Sequence, residues 1–358
     1  MEKADLSRRS FPASGRYVKL TGRTEEQDGV RWMIHSASRA EFRMSGTEAA
    51  VTIVGDASAT AGDEASCARL AVYVNGVRMA DRLVRKPEER IEFFSSEEER
   101  EVTVSVVKLS EGAISVFGIR SFDVVASKDI EPLPEKELKI EFIGDSITCG
   151  YGVDDENPEH PFSTATEDAT KTYAWKTAEA LGADLSCVCY SGHGIISGYT
   201  DSGIKVPGQL VPPIYEKIGK NNGSAEAFVD VNRPWHFSAF VPQFVVINLG
   251  TNDDSYVKDI PNRREEYTAC YAEFLKTVRK NNPRAQIVAS LGVMGDGLFP
   301  CVQEAVLRYR QETGDDRITT LRFPPQDGST GFAADWHPTE KTQEIAANIL
   351  IGHLRQLQ

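Results

Sequence analysis

Four side chains in this 358-residue chain stand at spacings that suit nucleophilic chemistry. The run Ile140-Glu141-Phe142-Ile143-Gly144-Asp145-Ser146-Ile147-Thr148-Cys149-Gly150-Tyr151-Gly152 is an apolar strand passing into small polar residues. In open α/β sheets ligands bind beyond the carboxyl ends of strands, so Ser146 lies where a site would form. A helix cap or turn is the competing reading of that position. A second apolar strand, residues 244–249, ends in Gly250-Thr251-Asn252-Asp253 and presents an amide at the same sheet edge. Asp335-Trp336-His337-Pro338-Thr339 then sets a carboxylate and an imidazole just before the last helix. A serine hydroxyl needs a base to take its proton as it attacks, and neutral imidazole works near pH 7. The glycines at 144, 150 and 152 permit a phosphate-cradling loop instead. That reading fails because the run lacks both a Gly-Lys-Ser/Thr ending and G-x-G-x-x-G.

These residues need a scaffold, and the chain changes character once along its length. Short alternating runs at residues 41–44, 50–54, 70–74, 91–94, 102–109 and 119–125 read as strands, with Asn75-Gly76 a two-residue hairpin signal. Residues 1–126 are therefore expected to form an antiparallel β-sandwich of jelly-roll type. Residues 127–137, with Pro132 and Pro134 among charges, read as a linker. From 138 to 358 strands and helices alternate, which predicts a parallel sheet covered on both faces. Strands are expected at 138–143, 185–190, 244–249 and 287–291, and helices at 173–181, 264–281, 302–310 and 339–357. In the 264–281 helix the apolar residues Tyr267, Cys270, Tyr271, Phe274, Leu275 and Val278 fall at i, i+3, i+4, i+7 spacing, as on an amphipathic helix. Residues 192–242 show little periodicity and many Gly, Pro and Asn residues, as a functional insertion over one end of the sheet would.

Gly144-Asp145-Ser146, Gly250-Thr251-Asn252-Asp253 and His337-Pro338 together resemble three signature blocks of the SGNH, or GDSL-type, hydrolases. The resemblance covers residues 138–358 and implies an α/β/α sandwich of flavodoxin-like type. The β-rich first third, with Trp336-His337-Pro338 near the end, is similar more narrowly to carbohydrate esterase family 2, whose members deacetylate hemicellulose sugars. The resemblance implies Ser146 as nucleophile and His337 as base. It implies an oxyanion hole of the Ser146 and Gly192 backbone N–H groups and the Asn252 side chain, with Gly192 taken from Ser191-Gly192-His193-Gly194. An acetyl-enzyme hydrolysed by water, with no metal or organic cofactor, follows.

One position departs from the family pattern. The acid usually stands three residues before the histidine, where this chain has Ala334, while Asp335 is two before. Either the Asp335 carboxylate orients His337 through Nδ1, or a backbone carbonyl does so in a serine–histidine dyad. Trp336 and Trp235 are candidates for stacking on sugar rings or for the core, and His193 is a loop or substrate contact. The remaining histidines have no matching partners in the sequence. Cys149, close to Ser146, reads as a packed small residue, and Cys187 and Cys189 as structural.

Composition narrows the function classes. Lys+Arg 40 against Asp+Glu 53 gives a net charge of −13, which argues against phosphate-backbone binding and so against nucleic acid as a partner. No run approaches the roughly 18 apolar residues of a membrane span, and residues 1–17 lack an apolar export core. Cytoplasmic location is the default expectation. Six cysteines without a C-x-x-C pair suggest neither a disulfide framework nor zinc. The expected partner is an acetylated carbohydrate. The competing readings are a lipid or acyl-CoA esterase or thioesterase of the same superfamily, and a carbohydrate-binding protein without turnover.

Overall fold

A computed structural model describes residues 6–358. It divides into two compact units. The first contains the chain up to Glu135 together with Ser163–Ala165 and Ile218–Arg233. Its frame is an antiparallel sheet in which the 17-residue strand Arg39–Gly55 pairs with Glu88–Lys108 on one side and Phe117–Ala126 on the other. Alternation along these strands sends Phe42, Val51, Ile53, Val104, Val106, Ile119 and Phe122 into one buried core. The Asn75-Gly76 turn forms as its sequence predicts, both residues at positive φ (49° and 79°), between Arg69–Val74 and Val77–Leu83. Glu131 and Pro132, placed by sequence in the connecting segment, pair with Arg43 and Phe42 and so extend the sheet.

The segment Ile218–Arg233, read from sequence as part of one long insertion, is tied to the first unit by specific bonds. The His35 Nε2 lies 3.0 Å from the Ile218 carbonyl. The Ser224 hydroxyl donates to Asp56 at 2.7 Å, and the Asn222 N–H donates to the Ala113 carbonyl at 2.8 Å. Phe228 packs on Trp32 with ring centroids 5.5 Å apart. Low periodicity in the sequence hid this division, because loop backbone bonds leave no repeating pattern.

The second unit is built on a five-stranded sheet whose pairings are all parallel. Lys139–Gly144 lies between Asp184–Cys189 and Phe244–Asn248, followed outward by Gln286–Leu291 and Ile318–Arg322. The chain goes from Lys139–Gly144 to one neighbour and then returns to the other side, so the strand order reverses at this strand. Loops leaving the carboxyl ends diverge there and leave room for a ligand. Gly144 is in register with both Cys189 and Asn248, which brings the segments carrying Ser146, Gly192 and Asn252 out at one edge. The inner strand Phe244–Asn248 and its counterpart Asp184–Cys189 are buried throughout, as in a parallel sheet covered on both faces, while the edge strand Ile318–Arg322 is half-buried. The 264–281 prediction corresponds to Pro261–Asn281, which starts on a proline at its first turn and buries Tyr267, Tyr271, Phe274, Leu275 and Val278. Cys270, counted with that face, is exposed. Phe299–Thr313 and Glu340–Gln356 are the other long helices.

Candidate active site

Ser146 opens a one-turn helix, Ser146–Cys149, immediately beyond the strand Lys139–Gly144. Asp145 caps it, its Oδ1 accepting the Ile147 N–H at 3.1 Å. A Cβ on Gly144 would lie 2.0 Å from the Thr148 Oγ1, so the strand can turn this sharply only with glycine there. Gly150 ends the turn at φ 88°, a left-handed conformation that glycine adopts without penalty. Ser146 is nearly buried, at 6% exposure.

The imidazole arrives from the other end of the unit on an irregular segment. His337 Nε2 stands 2.9 Å from the Ser146 Oγ. Its Nδ1 is 2.9 Å from the Asp335 main-chain carbonyl. A carbonyl only accepts, so Nδ1 carries the proton and Nε2 is left as the acceptor for the serine hydroxyl. Burial drives the His337 pKa down to about 4, against a smaller upward pull from the Asp335 carbonyl and carboxylate. The imidazole is therefore neutral at pH 7.

The carboxylate of Asp335 has a different partner from the one a triad requires. It accepts a hydrogen bond from the Tyr151 hydroxyl at 3.1 Å, while the carbonyl of the same residue takes the imidazole N–H. The reason is backbone conformation: Asp335 (φ 51°, ψ 40°) and Trp336 (φ 61°) both lie in the left-handed region. Of the two alternatives open in the sequence, the geometry corresponds to the dyad. Ala334, at the usual acid position, is buried against Gly152.

Asn252 sits in the first turn of Thr251–Val257, entered through Gly250 at φ 141°. Its Nδ2 donates to the His193 carbonyl at 2.9 Å and faces the Asp145 Oδ2 at 3.4 Å. Gly192 has φ 74°, and its carbonyl accepts the Tyr199 N–H at 2.9 Å. The adjoining turn is clamped from below by Asp253. That buried carboxylate accepts the backbone N–H groups of Ile195, Ile196 and Ser197 at 2.7–3.1 Å. Burial pushes the Asp253 pKa up to about 6 and the Asp145 pKa up to about 7. The arrangement can hold a fixed amide donor beside a serine and its base.

The other sequence candidates separate. His193 is buried, and its Nδ1 lies 2.8 Å from the Ser191 carbonyl; it enters the site through its main chain, as the acceptor for Asn252. Trp336 is 51% exposed, which removes the core reading, and its ring packs on Phe332 at 5.2 Å. Trp235 does not join them. Its N–H bonds the Glu216 carbonyl, and Glu216 in turn holds Lys280 and Asn281 at the carboxyl end of Pro261–Asn281. Gln286, which starts the next strand, follows directly, so Trp235 belongs to the amino-terminal edge of the sheet, opposite Ser146.

Sequence reasoning missed Tyr151, Asp253 and Tyr199. Tyr151 stacks on the His337 imidazole, centroids 3.8 Å apart and planes 19° apart. Tyr199 is 54% exposed, and the Asp335 carboxylate is close enough to raise its pKa, behind the larger effect of its bond to Asp201. The signals were small: an aromatic between two glycines, and an acid beside the assigned amide. His160, which lacked a partner in sequence, pairs with Asp155 at 2.8 Å.

The family model described as GDSL-like Lipase/Acylhydrolase family matches residues 142–345, and that described as Carbohydrate esterase 2 N-terminal matches residues 20–134. The chain is 32% identical over 325 residues to the cellulase/esterase CelE of Acetivibrio thermocellus, covering 89% of this chain and 37% of that protein. It is 30% identical over 237 residues to an acetylxylan esterase / glucomannan deacetylase of Cellvibrio japonicus, covering 63% and 61% respectively. The chain thus spans less than two thirds of the length of either relative. Among solved structures it is similar to a family two carbohydrate esterase from Clostridium thermocellum in complex with cellohexaose. That match has a TM-score of 0.80 and 29% identity, and covers 95% of this chain and 98% of the other. An acetyl xylan esterase from Butyrivibrio proteoclasticus shares the fold, with TM-score 0.87, 23% identity and 98% of each chain covered.

Proposed function

The chain belongs to the GDSL-like lipase/acylhydrolase family and carries a carbohydrate esterase 2 N-terminal domain, and from that premise we propose that it is a serine esterase removing O-acetyl groups from carbohydrate. The observation that carries this reading is the 2.9 Å contact between the Ser146 hydroxyl and a neutral, buried His337 whose other nitrogen is bonded to the Asp335 carbonyl. His337 Nε2 takes the hydroxyl proton as Ser146 Oγ attacks the acetyl carbonyl. The N–H groups of Ser146 and Gly192 and the Asn252 amide receive the oxyanion. Collapse expels the sugar oxygen, which leaves with the proton from His337, and the acetyl group stays on Ser146. Water, deprotonated by the same nitrogen, then releases acetate.

Acetylated xylan or mannan, or oligosaccharides derived from them, is the substrate class we assign. The esterase and deacetylase relatives support it, and so do the exposed rings of Trp336 and Tyr199, which offer flat apolar faces to a pyranose. Hydrolysis of aryl esters of increasing chain length tests the reaction, with acetyl expected to exceed octanoyl. A preference for octanoyl favours the lipid or acyl-CoA esterase reading, and absence of turnover on any ester overturns the assignment. Product analysis on acetylated xylo- and manno-oligosaccharides then distinguishes the carbohydrates.

A further inference from the structure

We infer that Tyr151 is a positioning residue for His337: its ring holds the imidazole plane in line with Ser146, and its hydroxyl ties the Asp335 carboxylate beside that plane. This inference rests on the reading of Ser146 and His337 given above. Three observations carry it.

The first is the contact itself. Near-parallel rings 3.8 Å apart leave the imidazole one permitted plane on that side and keep water off that face. The ring is backed in turn by Phe162, at 4.7 Å.

The second is where Tyr151 stands. It follows Gly150 (φ 88°) and precedes Gly152 (φ 61°), and its N–H donates to the Ser146 carbonyl at 3.2 Å. The residue that follows the nucleophile's turn is thereby the residue that fixes the base. A Cβ on Gly152 would lie 2.8 Å from the Ala334 Cβ, so the turn is pressed against the histidine's own segment.

The third is the state of that segment. Asp335 and Trp336 are consecutive non-glycine residues in the left-handed region, a conformation that persists only where surrounding contacts determine it. The contacts come from the same stretch of chain. Asp155 and His160 accept the N–H groups of Ala334 and Asp335 at 2.8 and 3.0 Å through their main-chain carbonyls, and Tyr151 holds the Asp335 side chain. Asp335 is also the charge that acts on His337. Fixing its carboxylate therefore fixes the field at the base, although the carboxylate does not bond the imidazole.

The test is steady-state kinetics of Tyr151→Leu, Tyr151→Phe and Asp335→Asn on an aryl acetate across pH, with melting curves and Ser146→Ala as control. Tyr151→Leu is expected to lose about 10²-fold in kcat with little change in KM, the scale on which a misplacement of ~1 Å acts. Its acid limb should also move up, toward the ordinary imidazole range, because water reaches the uncovered ring face. Tyr151→Phe keeps the ring and should lose only a few-fold, without the upward move. Once the hydroxyl is gone, Asp335→Asn should add no further loss of kcat on the pH plateau. A wild-type kcat in Tyr151→Leu, a loss confined to KM, or a limb that stays in place overturns the inference. If Tyr151→Leu does not fold, the Tyr151→Phe and Asp335→Asn pair decides, and additive losses overturn it. Full turnover in Ser146→Ala would instead overturn the proposed function, so the two failures are distinct.

Discussion

The segment that carries the nucleophile and the segment that carries the base reach the same 2.9 Å contact by opposite means. Residues 139–152 are a regular strand, a capped turn and a short helix, with glycine wherever the backbone goes left-handed or has no room for a side chain. Residues 333–337 are irregular, with Asp335 and Trp336 in the left-handed region despite their side chains. The first is specified by its own residues, so it is stiff and locally encoded. The second is held by bonds from chain some 180 residues earlier, and its geometry depends on that partner. In such a site the nucleophile is the fixed reference, and precision at the base is supplied from the nucleophile's side.

The largest test of the pair is its unity. Ser146→Ala and His337→Ala should each lower aryl acetate kcat by roughly 10⁴–10⁶, and the double variant should be scarcely worse, since groups acting as one unit are not additive. In the wild type, kcat/KM should fall to half near pH 4, where His337 takes up its proton. A half-point near 6.5, the ordinary imidazole value, would mean that the base is solvated rather than buried. Asn252→Ala comes next: loss of one oxyanion donor costs about 10²–10³ in kcat. An unchanged kcat would leave the 2.9 Å bond from Asn252 to the His193 carbonyl as a purely structural contact.

The same contrast governs what was legible beforehand. Strand, turn, helix and nucleophile in 140–152 were readable because their determinants are adjacent in the chain. The parallel sheet was readable because a strand buried on both faces must be continuously apolar. The orientation of His337 was not, because two backbone torsions decide whether a carboxylate or a carbonyl meets Nδ1, and sequence spacing does not encode torsions. The stacking of Tyr151 on His337 spans 186 positions and leaves no periodic trace. The division of residues 192–242 is a similar case. Gly194 and the following N–H groups wrap the Asp253 carboxylate in the second unit, while Ile218–Arg233 is bonded through Asp56, Ala113 and His35 in the first. Neither half carries a repeating apolar pattern, and the hydrogen-bond partners are what divide them.

Trp336 sharpens the comparison on the base side, because its left-handed backbone places the ring in solvent. Trp336→Ala should leave the melting temperature within the change expected of a surface substitution, about 0.5 kcal/mol, rather than the ~3–5 kcal/mol of a core tryptophan. On acetylated oligosaccharides kcat/KM should fall about tenfold, the scale of one aromatic stacking contact, with aryl acetates little affected. Equal loss on both substrates would make the ring a support for the segment instead of a platform for sugar.

The smallest expected effect is the most discriminating between a triad and a dyad. Asp335→Asn keeps the main-chain carbonyl that accepts the His337 Nδ1 proton and removes only the charge. In a triad whose carboxylate bonds the imidazole, that replacement can cost about 10⁴ in kcat, because the wrong tautomer is held. Here the carboxylate bonds Tyr151, so the tautomer is untouched and the loss should be a few-fold at most. The sign of the pH effect follows from the charge. Asp335 draws the His337 pKa upward against burial, so its neutralisation should carry the acid limb of kcat/KM to lower pH. A loss of several thousandfold, or a limb displaced upward, would show that the carboxylate swings onto Nδ1 during turnover, and the two segments would then share the work of orienting the base.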